Sequence, residues 1–201
     1  MEKNIENRKK FIDIAKNNIK REGINKLLAY LDKTDFFTAP ASTKFHSHFE
    51  GGLCEHSLRV FDNLLTLATW KIADNSELPK ELIETIAIVA LFHDISKINF
   101  YEKQFRNVKN DETGQWEKVA YFGINTKRKI FLGHAESSVY MLSKFMNLTL
   151  EETTAIRWHM GAFDSAAKGG EYDYSHALKQ FPLVLLLHTA DNLASTLDEE
   201  Q

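Results

Sequence analysis

The chain has 201 residues, 43% hydrophobic and 26% charged, which is enough for one large buried core and too apolar for disorder over most of its length. Its formal net charge of −3 argues against a general nucleic-acid coat. No stretch approaches ~18 uncharged apolar residues, so no membrane span is expected. The start, MEKNIENRKKF, lacks the apolar core of a secretory signal, and the expected location is cytoplasmic. A single cysteine, Cys54, rules out an internal disulfide and a Cys-rich zinc finger, and is read as a small packing residue.

Only 3 prolines and 9 glycines occur, which favours long helices over a many-turned β fold. Phe11, Ile12, Ala15 and Ile19, then Ile24, Leu27, Leu28 and Leu31, recur in steps of three and four, predicting a helical segment over 1–34 that Gly23 bends or splits. Residues 35–50 read as a loop containing Pro40. A helix is predicted from about Gly52 to Ala73, with Leu53, Val60, Leu64 and Leu67 inward. Pro79 suits the first turn of the next, whose inward stripe is Ile83, Ile86, Ala87, Ala90 and Leu91. The aromatics Phe36, Phe37, Phe49, Phe61 and Phe92 are assigned to the core. Residues 104–122 change character, with two β-prone runs around Asp111 to Gly114, and read as a β-hairpin or structured loop. Helices resume over 133–146 and 149–160, with Gly161 as a stop. A last helix follows Pro182. The expectation is one all-α domain with a small insertion near 104–122.

The 8 histidines decide where chemistry is sought. His93-Asp94, in ALFHDISK, ends an apolar helical run. An ionised carboxylate buried there is costly unless paired, and imidazole nitrogen with carboxylate oxygen suits a divalent cation. A continuing helix sets Lys97 on the same face, where its ammonium can hold a substrate phosphate oxygen. His56, in GGLCEHSLRV, is separated from His93 by enough chain for two antiparallel helices to bring them face to face. Gly51 and Gly52 permit close approach at the first of these helices. Asp191, in LLLHTADNL, follows another apolar run and offers an oxygen ligand from a third helix. His134 and His159 are candidates for a second metal position with Asp94 bridging, since paired metals clamp the attacking and leaving oxygens of a phosphoryl displacement.

Simpler readings fit other positions. His188 is read as a packed, hydrogen-bonded core histidine, and His176 as a surface one. His46 and His48 lie in a loop, exposed or touching substrate. Lys127, Arg128 and Lys129 form a solvated patch or a weak phosphate contact. Lys44, His46 and His48, together with Arg106 and Lys109 of the insertion, are placed at a substrate mouth.

At His56, His93-Asp94 and Asp191 the chain resembles the HD-domain superfamily of metal-dependent phosphohydrolases, whose pattern is a His, a His-Asp doublet and a distant Asp. The typical doublet context HDIGK reads HDISK here, with Ser96 in place of glycine. The resemblance runs over about 36–195. HFEGGLCEHSLRV, GHAES, RWHMG and LHTADNL look like the branch with two extra histidines, found in bacterial HD-type exoribonucleases and in small phage and mobile-element proteins. It implies an HD helical bundle binding one or two divalent transition metals (Mn, Fe, Co, Ni or Zn). The first is held by His56, His93, Asp94 and Asp191, while His134 and His159 either hold the second with Asp94 shared or contact the substrate phosphate. Asp94 and Lys97 are the expected catalytic residues, and Lys97, Lys44, His46 and His48 the expected substrate-binding ones. No OB-like domain precedes the HD region, and no GYP signature or synthetase domain is present. The implied partner is therefore a phosphorylated small molecule or a short nucleic-acid end, with no large nucleic-acid surface. Two alternatives have the same core: a non-catalytic nucleotide-sensing or partner-binding module, and a di-iron HD oxygenase.

Overall fold

The structure is a computed structural model that describes residues 2–43, 47–127 and 132–198. Its element order is α1 (Glu2–Asn18), α2 (Ile24–Leu31), α3 (Gly52–Lys71), α4 (Lys80–Phe92), β1 (Tyr101–Lys109), β2 (Trp116–Ile124), α5 (His134–Leu142), α6 (Leu150–Trp158), α7 (Ser165–Lys168), α8 (Asp173–Gln180) and α9 (Pro182–Leu193). Short 3₁₀ turns at Ile95–Lys97 and Gly161–Phe163 and a π-helical turn at Ala194–Asp198 complete it. The architecture is helical with one small sheet, as expected. Among the described residues no helix is long and apolar enough to cross a membrane.

The helices pack because their apolar stripes meet. Helix α3 lies against α4 and α9, and α6 lies against α9 and α5. One core cluster runs from Phe11 to Ala194. Phe11 of α1 sets its ring edge-on to Phe36, Phe37 and Phe92 at centroid distances of 5.2, 5.5 and 5.6 Å, so the N-terminal helix shares the core of the rest. Phe49 is a correction: it is 40% exposed, because it sits in the loop ahead of α3 rather than on a packed stripe.

The predicted boundaries move in instructive ways. Helices α1 and α2 separate at Gly23, whose φ is +97°. Pro79 is the residue just before α4, not within its first turn. Helix α5 stops at Leu142 instead of reaching 146, because the amides of Phe145 and Met146 both turn back onto the Leu142 carbonyl. Thr149 and Glu152 form a reciprocal capping box that fixes the start of α6. Buried Glu152 also receives both guanidinium arms of Arg21, tying the α1–α2 junction to α6. Gly52 has to be glycine: a Cβ there would lie 2.0 Å from the Ser47 carbonyl oxygen. The insertion is an antiparallel hairpin running from Tyr101↔Ile124 to Lys109↔Trp116, slightly longer than expected.

Cys54 is 2% exposed, and burial pushes its thiol up to about 12, with Glu55 adding to the shift and Arg8 opposing it. A raised thiol pKa keeps the native form protonated, and the matching stability is lost only as pH climbs from the unfolded thiol value toward 12. At pH 8 the native protein should therefore react with an aromatic disulfide reagent about a thousandfold more slowly than the urea-unfolded chain. Rapid stoichiometric labelling of the native protein would contradict this packing.

Candidate metal centre

Helix ends build the site. His56 stands in the second turn of α3, and His93 is the residue that closes α4. Asp94 opens the 3₁₀ turn Ile95–Lys97. His134 is the first residue of α5, His159 closes α6, and Asp191 lies near the end of α9. Because α3 and α4 pack together, the start of one meets the end of the other. The structure brings all six of these candidates together.

Four imidazoles stand in a row. The ring centroids of His56 and His93 are 5.3 Å apart, those of His93 and His159 5.0 Å, and those of His159 and His134 5.3 Å. Asp94 and Asp191 face this row. Asp191 Oδ1 is 3.0 Å from His56 Nε2 and 3.9 Å from His93 Nε2. Asp94 divides its two oxygens. Oδ2 is 3.5 Å from His93 Nε2 and 3.9 Å from His56 Nε2, whereas Oδ1 is 2.5 Å from His134 Nε2 and 3.6 Å from His159 Nε2. Ligand atoms of His56, His93 and Asp191 lie within 4.8 Å of one another, and so do those of His93, Asp94 and His159.

The imidazole tautomers follow from their partners. His93 Nδ1 donates to the Ala90 carbonyl at 2.9 Å, and His159 Nδ1 donates to the Ile156 carbonyl at 2.7 Å. A carbonyl oxygen only accepts, so Nδ1 carries a proton, and in the neutral form of the ring the bare Nε2 faces the carboxylates. Both Nε2 atoms are buried and have no hydrogen-bond partner among the described residues. Buried polar atoms are rarely left in that state. Bare imidazole nitrogens beside carboxylates fit a divalent transition metal.

Charge leads to the same reading. Lys97 Nζ sits 2.6 Å from Asp94 Oδ2. Two carboxylates and one ammonium leave a net negative charge in a buried place. Burial pushes the Asp94 carboxyl up, but Lys97, His93 and His134 outweigh it and hold it well below the usual carboxylate range. For Asp191, burial is likewise outweighed by His56, His93 and His159. Burial pushes His93 down to about 4, against the pull of both carboxylates. For His159 burial also acts downward, but Asp94 prevails and the net shift is up. Burial pushes Lys97 down, but Asp94, Tyr101 and Asp191 together outweigh it and the net shift is up.

Lys97 reaches Asp94 by a different route from the one expected. Helix α4 has already ended, and a 3₁₀ turn carries the chain on. With about three residues per turn, positions i and i+3 eclipse, which stacks Lys97 over Asp94. Lys44 and His46 lie outside the described residues. His48 is exposed and lines a separate groove with Thr43, Lys103, Arg106 and Tyr121.

Several neighbours of the site have no motif in the sequence. Asp94, Lys97 and Asp191 line a cavity of about 280 Å³ together with Tyr101, Phe163 and His188. Asn192 and Ser195 also border it. His188 is hydrogen-bonded, as expected, yet it also reaches this cavity. Its Nδ1 donates 2.7 Å to the carbonyl of His159, fixing the backbone that carries that ring. Gly161, at φ +55°, allows this contact, since a Cβ would come within 2.4 Å of the His188 ring. The spacing of three between His188 and Asp191 was the available signal. A larger cavity of about 700 Å³ meets the site at His134 and is lined by Ser96, Asn99, Phe100, Asn125 and Tyr30 among others.

A family model of the HD domain matches residues 53–196. The chain belongs to the HD domain family. No curated protein and no solved structure gives a significant match. HD domains are typically metal-dependent hydrolases, and all six gathered residues fall inside the matched span of this one.

Ser96, where the typical HD motif has glycine, places its Oγ 2.9 Å from His134 Nδ1. A hydroxyl can donate or accept there, and glycine can do neither. Ser96→Ala should weaken retention of added Mn²⁺ by about tenfold, the lower end of losses seen when a partner of a ligating histidine is removed. Titration calorimetry checks this, and unchanged affinity and stoichiometry would show that the hydroxyl does not orient His134.

Proposed function

We propose that this HD domain hydrolyses a phosphate ester or anhydride of a nucleotide or short oligonucleotide. His56, His93, Asp94 and Asp191 would hold one divalent transition metal. His134 and His159, sharing Asp94, would hold a second. The observation that carries this reading is the division of Asp94, with one oxygen toward His56 and His93 and the other toward His134 and His159. A divalent ion held this way supplies Lewis acidity and lowers the pKa of water enough to furnish a nucleophile near neutral pH. Mixed nitrogen and oxygen donors suit Mn, Fe, Co, Ni or Zn.

The chain's own residues do the rest. Lys97 borders the cavity, and its raised pKa keeps the ammonium charged and ready to take a phosphoryl oxygen. His188 steadies His159 through the backbone. Tyr101 and Phe163 form part of the wall of the smaller cavity and can help position the reacting group. The larger cavity, with Tyr30, Phe100, Asn99 and Asn125 on its walls, has room for the part of the substrate that does not react. On this reading residues 1–201 work as one domain. The shared core of Phe11 with Phe36, Phe37 and Phe92 supports that.

A panel of ribo- and deoxynucleotides, cyclic nucleotides and short RNA and DNA, assayed with Mn²⁺, tests the proposal. Metal-dependent turnover is expected on at least one class, with Asp94→Ala reduced to background. Full activity in that variant would sink the two-metal arrangement. No turnover by protein shown to carry metal would favour a binding module.

A further inference from the structure

The hairpin sorts its side chains by face. Directly paired residues of an antiparallel ladder share a face, and alternate pairs share the same one. The pairs Tyr101↔Ile124, Lys103↔Phe122, Phe105↔Ala120, Asn107↔Lys118 and Lys109↔Trp116 therefore form one surface. It carries three lysines and four aromatic rings and no carboxylate. Glu102 and Glu117 fall on the opposite face, and Asp111 and Glu112 lie in the turn. The chain's overall charge of −3 hides this segregation.

Three further observations give the surface a direction and an occupant. Lys103, Phe105, Lys109, Trp116 and Lys118 are all exposed, with Trp116 at 71% and Phe105 at 57%. Lys118 Nζ stands 5.0 Å above the Phe105 ring, so cation and ring are presented side by side. The inner end is Tyr101, which lines the cavity containing Asp94, Lys97 and Asp191. From there the nine residues of β1 lead outward over about 27 Å. Ammonium groups interleaved with open aromatic rings complement a phosphate backbone with unstacked bases.

We propose that this face is a track for single-stranded nucleic acid whose end enters the metal centre. The occupant follows from charge and stacking together, since an acidic peptide would satisfy the lysines and leave the rings without planar partners. The proposal deepens the hydrolase reading, and a binding assay in EDTA separates the two, because strand binding there needs neither metal nor turnover.

The experiment is fluorescence anisotropy of the full chain with end-labelled oligothymidylate and oligouridylate, each about twelve nucleotides long. Contact with three phosphates predicts about a twentyfold loss of affinity between about 50 and 200 mM salt. Trp116→Ala should weaken binding about tenfold, and Lys103→Glu with Lys118→Glu by more. The same two charge reversals on exposed α1 positions, Lys9→Glu and Lys16→Glu, should change it less than about twofold. Failure of the wild-type protein to bind either strand would overturn the proposal. Equal losses from the α1 reversals would do so as well, and so would equally tight binding of an oligoglutamate peptide.

Discussion

Everything at the centre of this protein is arranged around one buried carboxylate. Asp94 is 3% exposed and within 4 Å of a lysine and four histidines. An isolated charge in such a place would neutralise itself by taking a proton. Lys97 opposes that together with His93 and His134, and between them they hold Asp94 ionised against its burial. The carboxylate can then offer one oxygen to each side.

The fold delivers the surrounding imidazoles by repeating one local device. His93 closes α4 and His159 closes α6, and each donates its Nδ1 proton to a carbonyl three residues back. Helix ends leave carbonyls with spare accepting capacity, and at Ile156 the long 3.5 Å bond from the His159 amide leaves room for the ring. The hydrogen bond therefore satisfies the helix end and fixes the imidazole tautomer together. Neither ring needs an extra carboxylate to orient it. His134 comes at the other end of a helix and takes a serine hydroxyl instead. His188 holds the His159 backbone from α9. The bundle thus acts as a frame whose ends converge, and its apolar interior keeps those ends in place.

Much of this was legible in the sequence because polar residues at the end of apolar helices stand out. His93-Asp94 after IAIVALF and Asp191 after PLVLLL are conspicuous for that reason, and the structure gathers them with His56, His134 and His159. The start of α6 falls at the predicted boundary, where the Thr149–Glu152 capping box fixes it. The hairpin was legible from its β-prone residues and turn. What escaped was set by packing at a distance. His188 looked like a core histidine because the sequence does not show that its ring lies beside Gly161 at the cavity wall. Lys97 was placed correctly but for the wrong reason, since a 3₁₀ turn rather than a continuing helix aligns it. Phe49 is as apolar as Phe36, yet it sits in a loop that the core does not cover. Tyr101 and Phe163 reach the metal centre through tertiary contacts, and neither belongs to a local pattern.

The claim that Asp94 is shared between two ion positions can be tested most directly by anomalous X-ray diffraction from Mn²⁺-loaded crystals. The account predicts two peaks flanking the Asp94 carboxylate, one among His56, His93 and Asp191, the other against His134 and His159. A single ion leaving His134 and His159 uncoordinated, or ions bound away from Asp94, would contradict it.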